Sequence, residues 1–553
     1  VPAPEAAPGE LPVAVPSQSN AWTDVREKLE QALPGFLAGQ RWFGGKTRTI
    51  ESVAILDLIP VPLPAATASV AIARVDYAEG AAETYALPLL DCTGTGAAPG
   101  GGGNSPPTLV IRTAGGEERL FCDAFWDRSF LEQLLETLAA AGRFPGAAGE
   151  MIGLPTPTLE SLRRAAEGWL EPSLMKAEQS NTSILYGRCF VLKFFRHVEE
   201  GLNPDFEIGE FLTRRAGFAH VPPAAGAFEY RRPGAAPATM GILQGFVANQ
   251  GDAWQQTLGA LDAYFDRVER AGGPPPRLGR RSLLADAGDA LPLSATGWLG
   301  DYPSSARLLG RRIAELHLAL ASDSQDPDFS PESFSLAYQR EVHNAMSRLA
   351  QETFGMLRRR AADLPAPLRA KADAVLGAEG TLVSRFRLLD ERPLSGQLTR
   401  IHGDLHLGQV LWTGEDFVFI DFEGEPARSL AERRAKHSPV RDIAGMIRSF
   451  HYAAYAALFR RAGSGGTEAP LFAALAPFAN AWYRWVSSEF LRAYLETAAG
   501  AAFLPGRPEE LGAFLNLWLL DKAVYELKYE LNHRLSWVAI PLEGIAGLLE
   551  EAG

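Results

Sequence analysis

The sequence predicts an α+β chain in more than one lobe, with its strands gathered in the first half and its helices in the second. Three observations carry this. At 553 residues and 46% hydrophobic content, the chain is long enough for two or three structural units. Segments rich in strand formers, "ESVAILDLIPVP", "SVAIARVDYA" and "TSILYGRCFVLKFFR", all precede residue 200. Segments with apolar residues three and four apart, "SSARLLGRRIAELHLALAS", "SLAYQREVHNAMSRLAQETFGMLRRR" and "FLNLWLLDKAVYELKYELNHR", all follow residue 300.

Residues 1–20, "VPAPEAAPGELPVAVPSQSN", read as a Pro- and Ala-rich linker, and the start at Val suggests a piece of a longer polypeptide. Residues 21–165 read as a small mixed subdomain. It has the helix "TDVREKLEQALPGFLAGQ", two strands, a glycine- and proline-rich loop from Gly94 to Gly103, a further strand "TLVIRTAGG" and the helix "FLEQLLETLAAAG". Residues 166–250 read as a compact sheet with one helix, "DFEIGEFLTRRA". Residues 251–553 are mainly helical, interrupted by the short strands "QVLWT" and "FVFIDF". No repeat of solenoid period is present.

Composition excludes several classes of function. Acidic residues outnumber basic ones by 66 to 53, for a net charge of -13, which argues against a general nucleic-acid surface. No segment has the basic start of a signal peptide, and no run reaches the roughly 18 apolar residues of a membrane span. The three cysteines, Cys92, Cys122 and Cys189, lack CxxC spacing, which argues against a disulfide framework or a structural zinc site. A reducing cytoplasm is the expected compartment.

Two glycine-rich segments imitate phosphate loops. In "GQRWFGGKT" five residues rather than four separate Gly39 from Gly45, and no strand leads into it, so Trp42, Phe43 and Lys46 read as a packing corner. "GTGAAP" places Pro99 where a dinucleotide loop needs its last glycine.

The chemistry concentrates in "IHGDLHLGQVLWTGEDFVFIDFEGEP", residues 401–426. Asp404 follows His402 by two residues and precedes Gln409 by five, the spacing between base and metal-binding amide in a kinase catalytic loop. Asp421 ends the strand "FVFI" and opens "DFEG", where a kinase carries its second metal-binding acid. One carboxylate can deprotonate an attacking hydroxyl, while the other, with the Gln409 oxygen, can hold magnesium, a hard cation. A solvated hairpin is the plainer alternative, but base, amide and acid occur in order with apolar strands between them.

Upstream, Lys193 in "FVLKFF" can reach ATP phosphates, and Glu207, or Glu210 one turn later, can orient it. The turn before it has no glycine-rich loop, so Ser180, Asn181, Thr182 and Ser183 are the phosphate-contact candidates. Gln244, Phe246 and Val247 stand where a linker can offer backbone groups to adenine. The predicted fold is therefore a bilobed, eukaryotic-like kinase fold with a mainly helical C-lobe, preceded by the small mixed subdomain.

"AEQSNTSILYG", "LKFFR", "NPDFEIGEFL", "IHGDLHLGQVLW", "FIDFEGEPARSLAERRAKHSPVRDIAGMIRSFHYAAY" and "LDKAVYELKYELNHRLSWVAIPL" together resemble bacterial maltokinase, in the aminoglycoside-phosphotransferase-like branch of the kinase fold. The likeness runs from about residue 22 onward and implies that the small mixed subdomain is an amino-terminal cap subdomain, with "LAGQRWFGGK" part of it; the Gly94–Gly103 segment and the stretch after "GGPPP" look like variable insertions. The resemblance implies transfer of phosphate from ATP to maltose with Mg2+, giving maltose 1-phosphate for α-glucan synthesis. It also implies a trehalose synthase as fused or associated partner. On this reading Asp404 is the base, Gln409 and Asp421 bind magnesium, Lys193 contacts phosphates and Glu207 orients it, with Glu423 at the metal or sugar. His402, His406 and Arg428 flank the acids and are sugar-contact candidates, although backbone hydrogen bonding is the commoner fate of such histidines. In the last long helix Tyr525 and Tyr529 share a face, as do Glu526 and Glu530. Periodicity alone leaves open sugar stacking or ordinary amphipathic packing, and the resemblance favours sugar. A kinase for another sugar, such as glucosamine, and a non-catalytic ATP- or glucan-binding module are the alternatives.

Overall fold

The computed structural model describes residues 20–93, 108–166, 170–175, 181–279, 281–391 and 393–550. Linker residues 1–19, the Gly94–Gly103 insertion and Ser180 lie outside the described residues. The chain divides into two compact units, Val1–Leu202 with Ala224–Phe246 and Asn203–Pro223 with Val247–Gly553.

In the first unit, Val25, Leu29, Leu33 and Leu37 recur every four residues of the helix Asn20–Ala38 and are all buried. This stripe covers one face of an antiparallel five-stranded sheet, ordered Ile50–Pro62, Thr67–Tyr77, Glu83–Asp91, Glu118–Asp123, Thr108–Arg112. The second strand is apolar on both faces, because Ala71, Ala73 and Val75 join the helix-side core while Ala68, Val70 and Ile72 join a second core behind it. Each large apolar side chain so buried contributes about 1.5–3 kcal/mol. Phe43 is buried and packs its ring 5.2 Å from that of Tyr85, as a packing corner should.

The second core lies against an antiparallel seven-stranded sheet ordered Arg143–Pro145, Glu150–Pro155, Ala224–Arg231, Ala238–Gly245, Phe190–Phe195, Asn181–Tyr186, Pro172–Leu174. Its first two strands fall before residue 165, so the sheet crosses the boundary read from sequence. Gly153 lets the second of these strands approach the helix Arg128–Ala139, since an added Cβ would meet its backbone at Leu138. A disulfide joins Cys92 and Cys122, contrary to expectation: Leu90 and Cys122 are paired on neighbouring strands, which brings together cysteines 30 residues apart.

The second unit is mainly helical. Its long helices are Ala253–Ala271, Tyr302–Leu320, Leu336–Arg360, Val440–Ala462, Pro470–Thr497 and Pro508–His533. They share one apolar core with the short hairpin Val410–Trp412 and Phe417–Phe419. The helix Pro204–Phe211, expected in the sheet region, belongs to this unit, with Ile208 and Phe211 in its core. The α+β expectation holds, with the two large sheets in one unit and the long helices of the core in the other. Among the described residues, no helix is long and apolar enough to cross a membrane.

Candidate active site

The second unit holds the segment 401–426, and backbone hydrogen bonds fix its shape. Asp442, in the first turn of Val440–Ala462, accepts from the His402 N–H at 2.8 Å and the Gly403 N–H at 3.0 Å. Its other neighbour is the His317 ring, at 3.2 Å. Burial pushes the Asp442 carboxyl up, but the His317 hydrogen bond and the backbone donors outweigh it and hold the group below the usual range. Gly403 has φ +84°, and a Cβ there would lie 3.3 Å from the Cα of Gly424, so two glycines let the two acid-bearing loops approach.

Three predicted chemical groups meet here. The Gln409 side-chain N–H donates to Asp421 Oδ2 at 2.8 Å, which leaves the amide oxygen, the hard-cation donor of that side chain, outside this bond. Asp421 has φ +68°, a left-handed conformation that costs a non-glycine residue of order 1–3 kcal/mol and persists only where the surroundings enforce it. Oxygens of Asp205, Asp421 and Glu423 lie within 4.8 Å of one another. Such an all-oxygen donor set, with an amide alongside, fits magnesium.

Asp205 is absent from the sequence reading. It is buried on the helix Pro204–Phe211 and accepts from the Phe422 N–H at 3.0 Å, which ties that helix to the Asp421 loop. Glu207, two residues later, is engaged differently from the expectation. Arg400 donates to its Oε2 at 2.8 Å and Arg434 to its Oε1 at 2.7 Å, so its carboxylate is committed to two guanidiniums. Those partners hold it below the usual carboxylate range in spite of burial. Glu210 pairs with Arg214 on its own helical turn.

Asp404 opens onto a cavity of about 570 Å³ in the same unit. The cavity is lined by Tyr338, Glu425, Arg428, Arg441, Trp518, Asp521, Lys522 and Tyr525 among others. Four of these, Trp518, Asp521, Lys522 and Tyr525, lie three, four and seven residues apart on Pro508–His533, one helical face. Lys522 Nζ lies 3.5 Å from Asp404 Oδ1 and 3.1 Å from Glu425 Oε1. Glu425 also binds Arg428 at 2.8 Å and Arg441 at 3.0 Å. Burial raises its pKa, but Lys522, Arg441 and Arg428 together hold it far below the usual carboxylate range.

The predicted sugar contacts divide. Arg428 and Tyr525 line the cavity. Glu526 faces elsewhere, bound by the buried Arg448 at 2.9 Å, and Glu530 is bound by Arg534 at 2.7 Å and the Tyr452 hydroxyl at 3.2 Å. Tyr529 is 46% exposed, its ring centroid 4.6 Å from that of His533. His402 is buried, with Nε2 3.0 Å from the Ile420 carbonyl and its ring 4.8 Å from that of Phe422. His406 turns inward locally, its Nδ1 accepting from the Gly408 N–H at 3.1 Å and its Nε2 3.9 Å from Asp404. The helix presents to the cavity the face of 518, 521, 522 and 525, which includes the expected Tyr525, while Glu526 and Glu530 lie on the next face with Arg448 and Tyr452.

The first unit carries the remaining predicted residues. Lys193 stands in the strand Phe190–Phe195, opposite Ser183 and Ile242 on its neighbours, with its Nζ 5.6 Å from the Phe195 ring. Asn181, Thr182 and Ser183 form the start of the adjacent strand rather than a turn, and Thr182 Oγ1 accepts from Arg196 Nε at 2.9 Å. Gln244 pairs with Val191, and the Phe246 N–H donates to the Cys189 carbonyl at 2.8 Å. Val247 opens the second unit, where its carbonyl accepts from the Asn249 side chain at 2.9 Å.

Residues 36–127 match the maltokinase N-terminal cap domain, and residues 249–478 match the phosphotransferase enzyme family. A glucosamine kinase of Streptacidiphilus jiangxiensis is 24% identical over 424 residues, covering 76% of this chain and 81% of the relative. A glucosamine kinase of Mycolicibacterium smegmatis is 27% identical over 380 residues, covering 68% and 78%. Among solved structures, a glucosamine kinase in complex with glucosamine, ADP and inorganic phosphate superposes with a TM-score of 0.58 at 18% identity, over 94% of this chain and 98% of that one. The same enzyme name attaches to a second crystal form at a TM-score of 0.59, over 95% and 99%. These structures share the fold.

Proposed function

Because this chain belongs to the phosphotransferase enzyme family and carries a maltokinase N-terminal cap domain, we propose that it phosphorylates maltose with ATP to give maltose 1-phosphate. The observation that carries the reading is the arrangement around Asp404: a carboxylate at the mouth of a sugar-sized cavity, in the same loop system as the Gln409–Asp421 pair.

Asp404 takes the role of base. It orients the acceptor hydroxyl and receives its proton as the hydroxyl oxygen bonds to the γ-phosphorus and the bond from that phosphorus to the bridging oxygen breaks, releasing ADP. Gln409 and Asp421, joined by Asp205 and Glu423, would hold magnesium. Magnesium, when bound, supplies positive charge against the phosphate oxygens. Lys193 is assigned to the phosphates, with Asn181, Thr182 and Ser183 contributing polar groups, and Gln244, Phe246 and Val247 to the adenine. Trp518 and Tyr525 offer faces on which a pyranose can stack, and Arg428 and Asp521 offer polar groups to its hydroxyls. Alignment of hydroxyl and phosphoryl group supplies most of the acceleration. The product would feed α-glucan synthesis, with a trehalose-converting enzyme as fused or associated source of maltose, in the cytoplasm.

Phosphorylation of glucosamine is the second reading, favoured by the name of the relatives. ADP release with ATP and magnesium against maltose, maltotriose, glucose and glucosamine, with NMR of the product, tests both. Phosphate on the anomeric carbon of maltose is expected; turnover of glucosamine alone would overturn the acceptor, and silence across the panel would overturn catalysis in favour of a binding module.

A further inference from the structure

Resting on that kinase reading, we propose that Lys522 makes the acceptor site selective for neutral saccharides and against sugars that carry an ammonium next to the reacting hydroxyl. The geometry points to this through distance and charge balance. A hydroxyl oriented by Asp404 must sit within about 2.6–3.2 Å of its carboxylate. Lys522 Nζ is 3.5 Å from that same carboxylate and lines the same cavity, so the hydroxyl and its ring neighbours come close to a fixed ammonium. A substituent on the adjacent ring carbon lies about a hydrogen bond's length from the reacting oxygen. A hydroxyl there can accept from Lys522, whereas an ammonium there meets a like charge at close range.

The rest of the wall does not offset that repulsion. Around the base, the anions Asp404, Glu425 and Asp521 face the cations Arg428, Arg441 and Lys522, three against three. Lys522 is held in its charged form, well above the ordinary lysine range: burial opposes this, and the charges of Asp404 and Glu425 outweigh it. His437, in the same lining, is pushed down to about 3 by burial and by Arg441 and Arg428, so it adds no charge. Asp442 is committed to His317 and to the loop backbone. Among the other lining residues, Glu352 pairs with Lys528, Glu341 and Arg348 are exposed and opposite in charge, and Glu432, also exposed, keeps its negative charge with Ser429 as hydrogen-bond partner. Among the six charges around the base, a neutral sugar keeps the three-against-three balance and an amino sugar adds a positive charge to it. Asp521, one of those three acids, stands one residue from Lys522 among the same arginines.

The test uses glucose and glucosamine, which differ only at carbon 2, beside maltose. Values of kcat/KM are measured for the wild type, Lys522→Met and Lys522→Arg, with calorimetric binding of each sugar in the presence of a non-hydrolysable ATP analogue. The glucosamine-to-glucose preference is expected to rise at least tenfold in Lys522→Met and to stay at the wild-type value in Lys522→Arg. If Lys522→Met turns over no sugar, the binding ratio is read instead, and the same tenfold rise is required. An unchanged ratio with maltose still phosphorylated by the wild type overturns the role of Lys522 and leaves the kinase reading standing. A wild type that prefers glucosamine, losing that preference in Asp521→Asn, overturns the inference together with maltose as acceptor. No turnover of any sugar by the wild type overturns the kinase reading and the inference with it.

Discussion

Replacing Asp521 by Asn is expected to stabilise the protein at neutral and alkaline pH and to leave it unchanged in acid. Burial pushes the Asp521 carboxyl up to about 6; Arg441 pulls it down, and Glu425 adds to the rise. An aspartate in an unfolded chain titrates near about 3.9. Between those two values the folded protein keeps a proton that the unfolded chain has released, so stability falls as pH rises through this window. Two units at about 1.36 kcal/mol each give a penalty of about 3 kcal/mol at most, complete above pH ~6 and absent below pH ~4. Asn has the same shape and no charge, so the variant escapes the penalty. Urea unfolding of both proteins across pH ~4 to ~8 reads it directly, as a midpoint difference that opens from near zero to the equivalent of about 2–3 kcal/mol. A gap that stays constant with pH, or a variant less stable than wild type at pH ~8, would refute the assignment of a strained carboxylate in the cavity wall.

Asp404→Asn is expected to keep nucleotide binding and to lower turnover by about 10²–10⁴-fold, measured by calorimetry and by ADP release; unchanged turnover removes Asp404 as base. Asp205→Asn should weaken the magnesium dependence of the rate by about tenfold, read as a rightward shift of the magnesium titration, because one oxygen charge of the cluster is lost. Asp442→Ala leaves the His402 and Gly403 N–H groups and the His317 ring without their acceptor and should cost about 2–5 kcal/mol in denaturant unfolding. The contribution of Asp442 is fully present above pH ~3.9 and is lost as pH falls through its lowered folded value, so the destabilisation should shrink in acid.

The catalytic loop was legible because its chemistry is local. Asp404, Gln409 and Asp421 sit on one loop–hairpin stretch, and their spacing alone suggests a base and a metal-binding pair; the structure joins the last two at 2.8 Å. Residues that act from other helices were not legible. Asp205 precedes Asp421 by more than two hundred residues, and nothing in "NPDFEIGEFL" tells whether the first or the second acid turns toward the loop. The helix settles this by rotation: Asp205 and Glu207 are two residues apart and project on different faces, one to the Phe422 N–H and the other to Arg400 and Arg434. On Pro508–His533 the same ambiguity divided the outcome, with Tyr525 on the cavity and the two glutamates off it. A pattern of Tyr and Glu at four-residue spacing fits two adjacent faces, and only the buried partners Arg448 and Tyr452 decide that Glu526 and Glu530 point away from the cavity.

That rotation also answers why so much charge stands in an apolar frame. A buried carboxylate survives only with partners, and here nearly every acid near the loop has a dedicated one: Asp442 the loop backbone, Glu207 two arginines, Glu425 three cations. Removing a single partner from such a set costs about 3–5 kcal/mol, because it strands the remaining charge. The network therefore resists exactly the small rotations that would misplace Asp404, and rigidity there is what alignment of a hydroxyl with a phosphoryl group requires. Arg400→Met puts this to the test: it should destabilise the protein by about that amount and lower kcat while leaving KM for ATP near its wild-type value. A loss of stability with kcat intact would show that the Glu207 network supports the fold without tuning the loop.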